Sequence, residues 1–146
     1  MLRQLLAGGL VSLGNIAIHA IVMSAVVTTS RRASSWKRAR PQVWLAAVMV
    51  ATAGIFLIAH TAEVITWALA YGILDVASPE ADVLYFAFVN YTTLGYGDVV
   101  PAERWRLLGP MAAMNGVLLF GWSTAVIFEV LRNAMRIRDT GTRELV

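Results

Sequence analysis

Thr92-Thr93-Leu94-Gly95-Tyr96-Gly97-Asp98 is the stretch on which the reading of this chain turns. Two glycines flank a tyrosine, and glycine takes up backbone conformations that a Cβ resists. Such a run can turn successive carbonyl oxygens the same way, as coordination of a dehydrated monovalent cation requires. It stands between a short apolar segment and a long one, so its neighbours decide what it can be.

Those neighbours belong in lipid. Of 146 residues, 58% are hydrophobic and 14% charged, more apolar surface than a soluble domain of this length can hide. Cysteine is absent, which excludes disulfides, thiolate metal sites and thiol nucleophiles. Serine–histidine or paired-aspartate arrangements at catalytic spacing are not found, so no enzyme is expected. The formal charge of +3 says less than its placement. Arg31, Arg32, Lys37, Arg38 and Arg40 crowd one linker, and Arg132, Arg136, Arg138 and Arg143 follow the last apolar stretch. Basic clusters beside spans mark the cytoplasmic side of a membrane. No soluble fold accompanies them, so nucleic acid is not the expected partner. Anionic lipid is, through the five basic residues of the linker.

Leu5–Thr29, Val43–Ala70 and Leu107–Leu131 are each long enough to cross as a helix, the shortest reaching roughly 37 Å. Asp82–Thr92 would reach only about 17 Å, so it is expected to be re-entrant. Ser78 as cap, Pro79 in the first turn, and Glu80 and Asp82 near the positive dipole end predict its start. A half-membrane helix followed by a glycine-containing strand is tolerated only where protein buries it or it lines water.

The basic linker sets the expected orientation. With Arg31–Arg40 cytoplasmic, the N-terminus lies outside, the second span runs outward, the re-entrant segment dips from the outer face, and the third span returns inward. Trp44, Trp67, Tyr71 and Trp105 fall near span ends, where an aromatic belt would place them. The first span is expected to be a retained helix, because cleaving it as a signal peptide would leave five basic residues on the translocated side. The divisions expected are therefore 1–42 (first helix and basic linker), 43–131 (outer helix, re-entrant helix, loop and inner helix) and 132–146 (a short basic cytoplasmic tail, too small for a regulatory domain).

From Val43 onward this order, together with Thr92–Asp98, resembles the pore module of bacterial potassium channels. The family's filter is usually written TVGYG followed by aspartate, and Leu94 stands here in the place of valine. The resemblance implies an all-α membrane protein with three transmembrane helices, a re-entrant pore helix and a filter strand, assembling as a homotetramer in the inner membrane. It implies passive conduction of K⁺, with ion sites built from the carbonyls of Thr93, Leu94, Gly95 and Tyr96 and the Thr93 hydroxyl. Gly97 would let the chain turn out of the filter, with Thr92 and Asp98 supporting it. A weakly selective cation channel and a non-conducting membrane subunit or sensor built on the same fold stay open as alternatives.

Inner helices of the family carry glycines spaced like Gly116 and Gly121. Gly116 reads equally as a hinge or as a packing contact, and Gly121 as packing. Val117, Phe120, Thr124 and Phe128 share one face at helical spacing; by the resemblance that face lines the cavity, with Phe128 as a hydrophobic constriction. Some bacterial channels pair a pore-helix glutamate with the filter aspartate. That position is Val89 here, so Tyr85 is expected to donate to Asp98 instead, while Asn90 and Tyr91 pack between subunits. No span repeats arginine every third position, so no voltage sensor is expected.

Glu63 is the costly residue of the second span. It is expected to hydrogen-bond the backbone that supports the filter, or to stay protonated as a brace; the plainer reading puts it hydrated among headgroups. His60 shares its face, but two donors without a third make a poor metal site. His19 reads as a hydrogen-bonded packing residue.

Overall fold

The structure is a computed structural model that describes residues 1–33 and 41–143. Four α-helices, α1 (Leu2–Ala33), α2 (Pro41–Ile73), α3 (Val83–Tyr91) and α4 (Leu108–Arg143), account for most of it, with a short 3₁₀ turn at Glu103–Trp105. Three helices are long and apolar enough to cross a membrane, over Leu2–Ser30, Gln42–Ile73 and Glu103–Met135. Pro41 opens α2, where the missing N–H costs nothing. Pro110 lies in the first turn of α4 for the same reason. The inner helix continues to Arg143, so the expected break into a tail at 132 is not a break in the backbone. Residues 34–40 and the side chains of Arg31 and Arg32 lie outside the described residues, and with them the expected lipid-anchoring cluster.

The long helices pack side by side, each antiparallel to the long helix next to it in sequence. The Gln4 side-chain oxygen accepts from Leu107 N at 2.9 Å, Asn15 Nδ2 donates to Asn115 Oδ1 at 3.0 Å, and Val26 clusters with Val126 and Val130. Residue numbers rise together, so α1 runs parallel to α4. Against α2 they run in opposition: Trp67 meets Asn115, Tyr71 meets Leu108 and Phe56 meets Val126. The N-terminal end of α1 therefore lies at the same end of the bundle as the 92–98 loop. α1 packs on the α2 and α4 of its own chain.

Two aromatic expectations are corrected. Trp67 and Tyr71 are fully buried, one helical turn apart on the face of α2 that meets α3 and α4. Trp67 Nε1 donates to Asn115 Oδ1 at 3.1 Å, and the Tyr71 hydroxyl donates to the Leu108 carbonyl at 3.3 Å. Their polar tips are satisfied by the inner helix and have no need of headgroups. Trp44 and Trp105 are half-buried.

The start of α3 also differs from expectation. Ser78–Ala81 forms a turn closed by Ala81 N to the Ser78 carbonyl at 3.0 Å, with Pro79 in the position that proline favours. The cap is Asp82, in extended conformation. Its carboxylate accepts from Leu84 N at 3.0 Å and Tyr85 N at 3.1 Å. Aspartate is short and charged enough to hold two orphan donors at the positive helix end.

Candidate functional site

Positive φ recurs at every second residue of the loop: 63° at Thr93, 60° at Gly95 and 77° at Gly97. Leu94, Tyr96 and Asp98 keep ordinary negative φ. Alternating handedness of this kind can swing successive peptide planes so that their carbonyls face one side, a geometry a β-strand cannot offer. No β-strand is assigned to 92–98, which corrects the expected filter strand. The two glycines take the left-handed conformation without penalty, whereas Thr93 is β-branched and strained there. Such strain persists only where the surrounding structure holds it in place.

The loop is held from behind by α3. Thr93 N donates to the Asn90 carbonyl at 2.9 Å, Leu94 N to Val89 O at 2.9 Å, and Gly95 N to the same oxygen at 3.3 Å. Val89 thus supports the loop through its carbonyl, with its side chain buried. Thr92 Oγ1 donates to Phe88 O at 2.7 Å and closes the last turn. The front of the loop is open: Leu94 is 53% and Tyr96 68% exposed, and a Cβ built on Gly95 or Gly97 meets nothing within 4 Å.

At the loop's far end the Tyr85 hydroxyl donates to Asp98 Oδ2 at 2.6 Å. That bond lowers the Asp98 carboxyl below its ordinary 3.8 and raises the Tyr85 hydroxyl to about 12. The Asp98 contribution to stability is present above the ordinary carboxylate value and is lost as pH falls through the lowered one. The Tyr85 contribution is present below about 10 and lost as pH rises through about 12. Both groups are exposed, so solvent screens the energy. Tyr85→Phe is expected to delete the tyrosine ionisation near pH 12 from an ultraviolet titration and to return Asp98 to its ordinary range. An unchanged alkaline difference spectrum would refute this assignment.

The inner helix packs tightly on the end of α3 at Gly116. A Cβ on Gly116 would lie 2.0 Å from the Tyr91 carbonyl oxygen, so Gly116 is a close-packing contact and α4 runs unbroken through it. Gly121 has nothing within 4 Å, so the packing expected of it is not made within the chain. Val117, Thr124 and Phe128 are exposed on one side of α4. Phe120 departs from that face in part, its ring lying 4.6 Å from His60 and 5.4 Å from Tyr91.

Behind α3 lies a polar cluster of which the sequence disclosed only a part. Glu63 is fully buried, which overturns the headgroup reading. Its Oε1 lies 2.7 Å from His19 Nδ1, and its Oε2 lies 2.9 Å from His60 Nδ1 and 2.5 Å from the Tyr91 hydroxyl. It reaches the helix that braces the 92–98 loop through the Tyr91 side chain and makes no bond to loop backbone. Tyr91 is fully buried in its own chain, correcting its expected place between subunits. Asn90 donates to Phe86 O at 2.9 Å, and its Oδ1 abuts Gly109 of the same chain. Ser123 of α4 bridges the two imidazoles, 2.9 Å from His60 Nε2 and 3.2 Å from His19 Nε2. The signal for these partners was present as polar residues four and eight apart, Asn15 with His19 and Asn115 with Ser123, on otherwise apolar helices.

Comparison with known proteins agrees with this geometry. A family model described as Ion channel matches residues 48–133, from early in α2 through the 92–98 loop and most of α4. No curated protein and no solved structure matched the chain. A match over more than half of the chain, covering most of α2, all of α3 and most of α4, shows that this membrane protein belongs to the two-transmembrane ion-channel family, the family of potassium-channel pores.

Proposed function

We propose that four copies of the chain assemble around one axis as a potassium-selective pore in the inner membrane. The Thr93–Gly97 carbonyls of each copy form one wall of the filter. The observation that carries this reading is the alternation of left-handed φ at Thr93, Gly95 and Gly97, on a loop braced behind and open in front. One chain offers carbonyls on a single side only, and cyclic symmetry supplies the others. The C-terminal end of α3 points into the same region, where its partial negative charge favours a cation. The exposed face of α4 through Val117, Thr124 and Phe128 lines the approach. The loop faces outward from the cell and the basic residues face the cytoplasm.

The test is a potassium-gradient flux assay on the protein reconstituted in liposomes, with sodium as the comparison ion and barium as blocker. The intact protein is expected to pass potassium in preference to sodium, as a tetramer by mass. Gly95→Ala is expected to lose that flux. Its Cβ meets no atom, but a left-handed alanine costs about 1–2 kcal/mol, repeated in each copy around the axis. Flux unchanged by Gly95→Ala would remove the filter assignment, and equal sodium and potassium flux would remove the selectivity.

A further inference from the structure

We propose that His19, His60 and Glu63, completed by Tyr91, form a binding site for a divalent transition metal of the zinc class. The donors come from three elements: His19 from α1, His60 and Glu63 from α2, and Tyr91 from α3. One ligand atom from each of His19, His60 and Glu63 lies within 4.8 Å of the others. The third donor that a reading of α2 alone lacks is delivered by α1, packed antiparallel beside it.

Hydrogen-bond accounting shows which arrangement of the cluster presents lone pairs to a cation. Suppose both imidazoles carry their proton on Nδ1 and donate to the Glu63 carboxylate. Both Nε2 lone pairs then face Ser123 Oγ, which has one proton to give. Suppose instead that both carry it on Nε2. Ser123 Oγ accepts both N–H groups with its two lone pairs, and the second arrangement is complete on that side. The two Nδ1 lone pairs then converge on the carboxylate oxygens at 2.7 and 2.9 Å. Lone pairs facing lone pairs at that distance need positive charge between them. Neither of these two arrangements closes alone, and α2 carries no lysine or arginine to help. The mixed one, with His19 donating to Glu63, Ser123 to His19 and His60 to Ser123, closes with one proton between His60 Nδ1 and Glu63 Oε2, which a bound metal would displace.

A divalent ion closes the second arrangement. Two imidazole nitrogens, a carboxylate oxygen and the Tyr91 oxygen make a tetrahedral N₂O₂ set, of the kind that suits zinc. Metal–ligand bonds of about 2.0–2.2 Å separate neighbouring ligands by about 3.3 Å, so the present contacts would open by about 0.5 Å. Ser123 would be the outer partner that fixes both tautomers, a role commonly filled by a carboxylate or carbonyl. Access is from the side of His60, which is 14% exposed while His19 and Glu63 are closed off. The bound ion would join α1 and α2 to the C-terminal end of α3, directly behind the loop.

The test uses tag-free, full-length protein and needs no ion conduction, so it stands or falls independently of the channel reading. The chain has two histidines and no cysteine, which leaves little background for zinc. After incubation with zinc and removal of free metal, elemental analysis is expected to find one zinc per chain. Cobalt(II) in its place is expected to give the intense visible absorption of a tetrahedral site. Tyr91→Phe keeps the ring and removes the oxygen, and is expected to weaken binding at least tenfold; His19→Gln is expected to abolish it. Failure of the wild-type protein to retain zinc overturns the proposal and leaves the cluster as a holder of protons only. Zinc retained equally by Tyr91→Phe and His19→Gln also overturns it. Should His19→Gln not fold, the wild-type cobalt spectrum and the Tyr91→Phe affinity decide the matter.

Discussion

Glu63→Ala is expected to destabilise the folded chain by about 2–4 kcal/mol. Interhelical hydrogen bonds within membranes average only about 0.6 kcal/mol, because the separated helices find other partners. By that measure a single lost bond would be hard to detect. Glu63, however, is the common hydrogen-bond partner of His19, His60 and Tyr91, and all three lie at the meeting of α1, α2 and α3. Removing one member of a buried charged set costs more than the bonds themselves, since the partners stay buried without an acceptor. Glu63→Gln keeps an acceptor oxygen and is expected to cost about half as much. Unfolding in mild detergent, followed by tryptophan fluorescence, measures the series. Alanine within about 0.5 kcal/mol of wild type would show that the cluster is incidental to the fold.

Gly116→Ala is expected to cost about 3 kcal/mol, at the upper end for overpacking. The added Cβ would sit 2.0 Å from the Tyr91 carbonyl oxygen and 3.1 Å from its carbon. Those are backbone atoms at the end of α3, so no side chain can rotate away, and one helix must move from the other. Gly121→Ala is the control. Its surroundings are open within the chain, and alanine gains up to about 1 kcal/mol in helix propensity. The same thermal measurement on both variants separates packing from bending. A hinge at Gly116 predicts a folded, stiffer Gly116→Ala protein, whereas a seat for α3 predicts one that unfolds earlier. Equal stability of the two variants would refute the seat.

Much of this architecture was legible before any coordinate. Three apolar runs longer than a bilayer and one too short for it mark out the three candidate spans and the short helix between the last two, because backbone in lipid must satisfy its own hydrogen bonds. The glycines of the 92–98 loop announced left-handed backbone, and Tyr85 was identifiable as a donor for Asp98 once Val89 left that aspartate without a side-chain partner from its own position. These are local properties, carried by residues close together in sequence. Capping failed at the same scale only by a few residues: Ser78 and Asp82 both favour the role, and the turn at Pro79 delays the helix until Asp82.

What reading along the chain could not supply is the identity of partners 28 to 104 residues apart. Trp67 and Tyr71 look like interfacial anchors until α4 provides Asn115 and the Leu108 carbonyl. Glu63 and His60 look like an incomplete pair until α1 supplies His19 and α3 supplies Tyr91. Residue type states that a buried polar group needs a partner, and the packing of helices chooses which one. Composition, span length and the Thr92–Asp98 run thus point to a membrane channel protein, and the family match over residues 48–133 agrees. Only the seating of α1, antiparallel to α2 and parallel to α4, decides that the helices are joined by a buried His–Glu–Tyr–Ser cluster, because that contact joins residues with no local relation in the sequence.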